Sequence, residues 1–136
     1  MLDFTGTLSL DGRLLPGVAG RIRKIACMLR VTVMTADTFG AAARALEGLP
    51  VDLRIVGRGA EKAALVRKLG AKQVIAIGNG RNDTPMFKAA ALGIAVVGPE
   101  GASGELVRIA DVVVCDIRDA LDLLLNPLRL KATLRD

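Results

Sequence analysis

The chain has 136 residues, 51% hydrophobic, 24% charged and 2% aromatic, with a formal net charge of +5. That balance fits one globular domain over residues 1–136, with a core of Leu, Val, Ile and Ala, and leaves too little chain for a second ordinary domain. No apolar run approaches the roughly 18 residues a membrane helix needs, and the basic residues are scattered with almost no aromatic residues to stack bases, so neither a membrane nor a nucleic acid is an expected partner and a soluble cytoplasmic protein is expected.

In chain order, the opening "MLDFTGTLSLDG" is followed by a short hairpin over 8–15, where Asp11-Gly12 suits the φ > 0 positions of a tight turn. A helix near 17–29 leads into a strand over 30–35, a helix near 38–47 and a strand over 51–56. Then come a helix near 60–69, a strand over 73–78, a helix near 83–91 and a strand over 92–97. A helix near 102–109, a strand over 111–115, a helix near 117–125 and a short last helix after Pro127 complete the chain. Strands alternating with helices predict an α/β fold with a mostly parallel sheet. Cys27 and Cys115 fall in apolar stretches without metal or redox spacing, so both read as buried reduced thiols.

Ligands of open parallel sheets bind beyond the carboxyl ends of the strands, so polar residues that follow apolar runs are the candidates. There are three such stretches, Asp3 to Thr7, Thr35 to Asp37 and Gly78 to Asp83. With no histidine in the chain, any catalysis falls to carboxylates, hydroxyls, amides and Lys or Arg. Asp3, ahead of Thr5-Gly6-Thr7, is a carboxylate able to attack phosphorus beside backbone N–H donors, or equally an aspartate that caps a turn. Thr35 and the adjoining helix start could grip a phosphoryl oxygen, although Thr35 or Asp37 as an N-cap is the commoner use. Lys62 alone reads as a surface lysine; in a site it would neutralise a transferred group. "GNGRND" is the most specific stretch, because Asn79, Asn82 and Asp83 put hard oxygen donors suited to Mg²⁺ on one loop, against the alternative of an Asn-rich structural turn. It lacks the third glycine of a dinucleotide fingerprint and the Gly-Lys-Ser/Thr of a P-loop.

Taken together and in this order, these stretches resemble the haloacid dehalogenase superfamily of phosphotransferases, and within it the phosphorylation domain of P-type ATPases and their soluble phosphatase relatives. "DFTGT" looks like the Asp-Lys-Thr-Gly-Thr of the pumps, "TAD" like Thr-Gly-Asp, and "GNGRND" like Gly-Asp-Gly-x-Asn-Asp. "TADTFG", "AIGNGRND" and the tail "DALDLLLNPLRLKATLR" are similar to the soluble relatives. The resemblance implies a three-layer Rossmann-like fold and a phosphatase acting on a small phosphomonoester. Asp3 would be the nucleophile, with Mg²⁺ held by Asp3, the carbonyl of Thr5, Asn79 and Asp83, and Asn82 in support. Gly6, Thr7, Thr35, Ala36 and Lys62 would bind the phosphoryl oxygens.

Three departures from the family pattern shape the expectation. Thr5 stands where the phosphatases carry a general acid–base aspartate, so turnover should be slow, and Asn79 stands where the metal loop carries its first acid. The central strand that should end in Asp3 has only Met1-Leu2 ahead of it, against about five residues in an ordinary strand, so it reads as truncated. Residues 8–34 and the stretch between Thr35 and Lys62 are too short for a nucleotide-binding or cap domain. An uncapped site stays open to water and to large substrates unless a second copy of the chain covers it. The competing reading is a catalytically weak phosphate- and Mg²⁺-binding regulatory or structural subunit.

Overall fold

The computed structural model describes residues 1–37 and 40–135. Its main sheet contains β1 (Leu2–Asp3), β4 (Thr32–Thr35), β5 (Asp52–Ile55), β6 (Ile75–Gly78), β7 (Leu92–Val96) and β8 (Val112–Val114), in the order β5-β4-β1-β6-β7-β8. Every neighbouring pair is parallel. A separate antiparallel hairpin, β2 (Ser9–Leu10) and β3 (Arg13–Leu14), turns through Asp11 and Gly12 at φ of 50° and 75°. Both central turn residues take φ > 0, as the twist of a two-residue hairpin demands.

Helices cover both faces, as a parallel sheet requires, and the covered strands are apolar on both sides. Alternation along each strand divides the core in two. Val33, Ile77 and Ile94 point toward α1 (Val18–Ala26) and α6 (Ile117–Leu125), where they meet Ile22, Ile25 and Leu121. Met34, Ala76 and Ala95 point the other way, toward Val66 of α3 (Gly59–Leu69), Met86 of α4 (Thr84–Ala89) and Leu106 of α5 (Gly104–Ile109). The remaining helices are α2 (Ala41–Ala45) and α7 (Pro127–Leu134). The result is the expected three-layer α/β fold, and among the described residues the connection from β1 to α1 holds only the small hairpin.

Element by element, β7 begins at Leu92 as the pattern suggests and the other four predicted strands begin one or two residues later, and the helix expected over 38–47 is seen as α2; residues 38 and 39 lie outside the described residues. The thiols are a correction, since Cys27 and Cys115 are both exposed rather than buried. Cys27 comes after Ile25, the last buried residue of α1, and its Sγ faces the Arg23 carbonyl at the solvent side. Cys115 follows β8, an edge strand whose Val113 also faces solvent. Apolar sequence neighbours do not bury a residue that falls on the outer face of an edge.

At the middle of the sheet β1 is short. Leu2 pairs with Val33 and Ile77, and Asp3 with Met34. The Met1 ammonium donates to the Ile75 carbonyl at 2.6 Å, and the Met1 carbonyl accepts from the Ile77 amide at 2.9 Å. Burial pushes that ammonium down to about 5.

Candidate functional site

Asp3 ends the central strand and is 5% exposed. A carboxylate at that depth needs partners. Lys62 supplies one, its Nζ donating to Asp3 Oδ1 at 2.7 Å and to Asp83 Oδ1 at 2.6 Å. All three side chains are buried, so two carboxylates share one ammonium away from water. Burial and the neighbouring Asp83 charge raise Asp3 to about 6, and the Lys62 ammonium opposes them without winning. Burial also works against the Lys62 ammonium, but Asp3 and Asp83 together leave it raised above the ordinary lysine value.

Two glycines explain how a lysine on α3 reaches this depth. A Cβ on Gly59 would lie 2.5 Å from the Asn82 carbonyl, so its absence lets the first turn of α3 rest on the 81–83 turn. A Cβ on Gly78 would run into the Asp83 carboxylate. Without it, Asp83 folds under the loop and its Oδ2 accepts from the amides of Asn79 and Gly80 at 3.1 and 3.0 Å. Asp83 thus fastens both the lysine and the turn that precedes it.

The other oxygen of Asp3 is held more loosely. Thr7 Oγ1 lies 3.3 Å from Asp3 Oδ2 and 3.1 Å from Asn79 Oδ1, and its one proton can serve only one of them at a time. Asn79 Nδ2 donates to the Gly101 carbonyl at 3.1 Å, and the Asn79 carbonyl accepts from the Ser103 amide at 2.8 Å. The loop after β1 is closed on itself, the Gly6 amide donating to Ser9 and the Thr7 amide to Phe4. What that loop presents is therefore hydroxyl groups, a buried one on Thr7 and an exposed one on Thr5.

Thr35 ends β4 beside Asp3, 1% exposed, and its Oγ1 accepts from the Asp37 amide at 3.1 Å, which leaves its own proton for an acceptor in the site. Asp37 Oδ2 accepts from the Ala42 amide at 2.7 Å, so Asp37 anchors the start of α2. Ala36 is exposed next to Thr35, and Asn82 is exposed on the 81–83 turn. The structure thus gathers Asp3, Thr7, Lys62, Asn79 and Asp83 into one bonded cluster, with Thr35 on the adjoining strand and Asn82 at the rim.

The donor chemistry fits Mg²⁺, which takes hard oxygens and commonly only one or two carboxylates, with water completing the shell. Among the described residues no group of three or more His, Cys, Asp or Glu converges, but Asp3 and Asp83 do, joined through Lys62. Asp83 already accepts from Lys62 and two amides, so the Asn79 amide oxygen is a more open donor. Sequence patterns give no hint of the 98–103 segment that steadies Asn79; its only signal is the turn-prone Gly98-Pro99-Glu100-Gly101 directly after β7.

The chain is similar to known proteins in sequence and in fold. A family model described as haloacid dehalogenase-like hydrolase matches residues 36–119. An uncharacterized protein of Methanocaldococcus jannaschii is 60% identical over 65 residues, covering 48% of this chain and 70% of that protein. A zinc-transporting PIB-type ATPase in its E2.Pi state superposes with a TM-score of 0.71 at 28% identity, over 88% of this chain and 20% of the ATPase. The chain therefore spans about a fifth of that pump. The cobalt-bound deoxy-D-mannose-octulosonate 8-phosphate phosphatase of Haemophilus influenzae gives a TM-score of 0.76 at 21% identity, over 92% of this chain and 85% of the phosphatase. Among the described residues no helix is long and apolar enough to cross a membrane.

Proposed function

The chain belongs to the haloacid dehalogenase-like hydrolases, and from that premise we propose that it is a Mg²⁺-dependent cytoplasmic phosphatase acting on a small phosphomonoester through an aspartyl-phosphate at Asp3. The observation that carries this reading is the buried Asp3 at the end of the central strand, gripped on one oxygen by Lys62 and left nearly free on the other. Oδ2 is accordingly the attacking atom. It forms the bond to phosphorus as the bond from phosphorus to the leaving oxygen breaks, and that oxygen departs with a proton from solvent. Water then attacks the phosphorus, releases inorganic phosphate and restores the Asp3 carboxylate.

Lys62 would balance charge on the phosphoryl group while it holds Oδ1, and the hydroxyls of Thr7 and Thr35 would donate to phosphoryl oxygens, with the Ala36 backbone beside them. Gly6 serves by shaping the loop at φ +73°, its amide already bonded to Ser9. Asp3, the Thr5 carbonyl, Asn79 and Asp83 are the residues proposed to hold Mg²⁺, and Asn82 supports that turn. When bound, the ion would supply electrostatic neutralisation of the attacking and transferring oxygens. Most of the acceleration would come from such positioning and charge, because phosphoryl transfer passes through a loose transition state. Thr5 cannot move a proton as an aspartate would, so both steps are expected to be slow. A second copy of the chain is the proposed cover for the site.

A second reading, a phosphate- and Mg²⁺-binding regulatory or structural subunit with little turnover, is favoured by the same Thr5 and by Asn79. Hydrolysis of a chromogenic phosphate ester with Mg²⁺ separates the two. We expect slow release that Asp3→Asn lowers by roughly 10³–10⁶-fold. No release above the Asp3→Asn background would favour the subunit, and release unaffected by the substitution would remove Asp3 from the chemistry.

A further inference from the structure

Two loops meet beside the site at a glycine. Gly6, in the loop after β1, takes φ +73°, and a Cβ there would lie 2.7 Å from Glu100 Oε2 and 2.5 Å from Asn79 Nδ2. Its bare Cα lets a carboxylate from the loop after β7 settle against the loop after β1, next in sequence to Thr5. The backbones close up there as well, since a Cβ on Gly98 would lie 3.5 Å from the Gly6 carbonyl oxygen.

The turn that carries Glu100 is fixed in place. The Gly101 amide donates to the Gly98 carbonyl at 2.8 Å, which closes Gly98-Pro99-Glu100-Gly101, and Gly101 takes a φ of 76° that a side chain would resist. Asn79 ties this turn to the site, because its Nδ2 donates to the Gly101 carbonyl while its Oδ1 meets Thr7 Oγ1, which in turn reaches Asp3 Oδ2. Glu100 therefore lies on the Oδ2 side of Asp3, away from Lys62, which holds Oδ1. Its carboxylate is exposed and, among the described residues, makes no hydrogen bond or ion pair. An exposed glutamate is ordinary; what sets this one apart is that it is drawn in over a glycine beside the residue where the acid–base aspartate is missing.

We propose that Glu100 is the general base of the second step, doing from the loop after β7 what Thr5 cannot do from the loop after β1. The inference rests on the phosphatase reading and extends it. As water attacks the aspartyl-phosphate, its oxygen bonds to phosphorus and one of its protons passes to the Glu100 carboxylate. The bond from phosphorus to Asp3 Oδ2 breaks, and its electron pair returns to the Asp3 carboxylate. Inorganic phosphate leaves, and Glu100 gives its proton to solvent. A base that reaches in from the rim is held less closely than an aspartate at residue 5 would be, so its share lies toward the low end of the roughly 10²–10⁴-fold typical of such groups.

A burst experiment with p-nitrophenyl phosphate and Mg²⁺ on the whole chain tests the assignment. Nitrophenolate departs without needing a proton, so its release in the first turnover counts phosphorylation of Asp3, and the steady rate that follows counts water attack. Glu100→Gln keeps the shape of the side chain and removes its basicity. It is expected to leave the burst at full amplitude and to slow the steady rate by roughly 10–10²-fold. In a Thr5→Asp background, which supplies a nearer base, the same substitution is expected to change the steady rate by less than about twofold, because two residues serving one proton are not additive. A full burst followed by an unchanged steady rate in Glu100→Gln would overturn the proposal and leave phosphorylation of Asp3 standing. An equal loss in the Thr5→Asp background would overturn it by making Glu100 a support of the turn, and a loss restored by saturating Mg²⁺ would do so by placing the carboxylate on the ion. Release that depends on Asp3 but shows no burst would overturn it too, since water attack would then be the faster step. No release, or release indifferent to Asp3→Asn, would instead bring down the phosphatase reading and this inference with it.

Discussion

The two ends of β1 handle buried charge in opposite ways. At the carboxyl end Asp3 is enclosed by Lys62, Asp83 and Thr7, and each buried polar group meets another at 2.6–3.3 Å. At the amino end a single ammonium faces one carbonyl beside an apolar cavity, with no carboxylate bonded to it among the described residues. The first is an organised polar site whose charges are retained together; the second is an interruption in a core, and its charge is the exception there. Burial alone does not mark function. What distinguishes the site is burial combined with several partners drawn from separate strands.

The comparison can be sharpened first at the carboxyl end, where the largest effect is expected. Thr5→Asp supplies an acid–base group next to Asp3, and single-turnover measurements should show dephosphorylation faster by about 10² or more; an unchanged rate would mean that proton transfer does not limit it. Lys62→Met should come next. It leaves two carboxylates buried together, and we expect a loss of about 3–5 kcal/mol in urea unfolding at neutral pH without Mg²⁺, with part of that loss returned on adding the ion.

A smaller effect is expected from Asn79→Asp, which adds a negative charge to the loop. Mg²⁺ should bind about tenfold more tightly by calorimetry, and no change would place residue 79 outside the ion's shell. The smallest is a change in the shape of the stability profile with pH, measured without metal. Asp3 moves from 3.8 to about 6 on folding, so its protonated form favours the fold below pH 4 and that contribution is lost as pH rises to 6. Met1 moves from 8.0 to about 5, so the folded chain sheds its proton first and stability climbs between pH 5 and 8. Asp3→Asn should remove the falling limb and N-terminal acetylation the rising one; a profile untouched by either would contradict the burial of both groups.

Much of this was legible in the sequence, for identifiable reasons. Strands such as Leu92–Val96 are continuous apolar runs because helices cover both faces, and the 8–15 hairpin was announced by Asp11-Gly12. The candidate residues were legible because they follow strand ends in a parallel sheet. Lys62 was legible only through the family resemblance, since its own neighbours are those of a surface lysine; its burial depends on Gly59 and Gly78, which matter through what they leave empty. The exposed Cys27 and Cys115 show the converse limit, because Cys27 lies past the last buried residue of α1 and Cys115 follows an edge strand, and neither position is a property of local hydropathy. Short β1 was visible as a pattern, but the space beside it required the register of both neighbours.

Because one ammonium serves two carboxylates, Asp3 and Asp83 are coupled as the arms of a balance. Esterifying Asp3 would replace its charge with that of a phosphoryl group and draw Lys62 toward it, loosening its hold on Asp83. Asp83 carries the amides of Asn79 and Gly80, and Asn79 in turn holds Gly101 and Ser103. A covalent event on one strand would thus be conveyed as slack or tension to the rim two strands away, so that an occupied and a vacant site present different surfaces to whatever docks there.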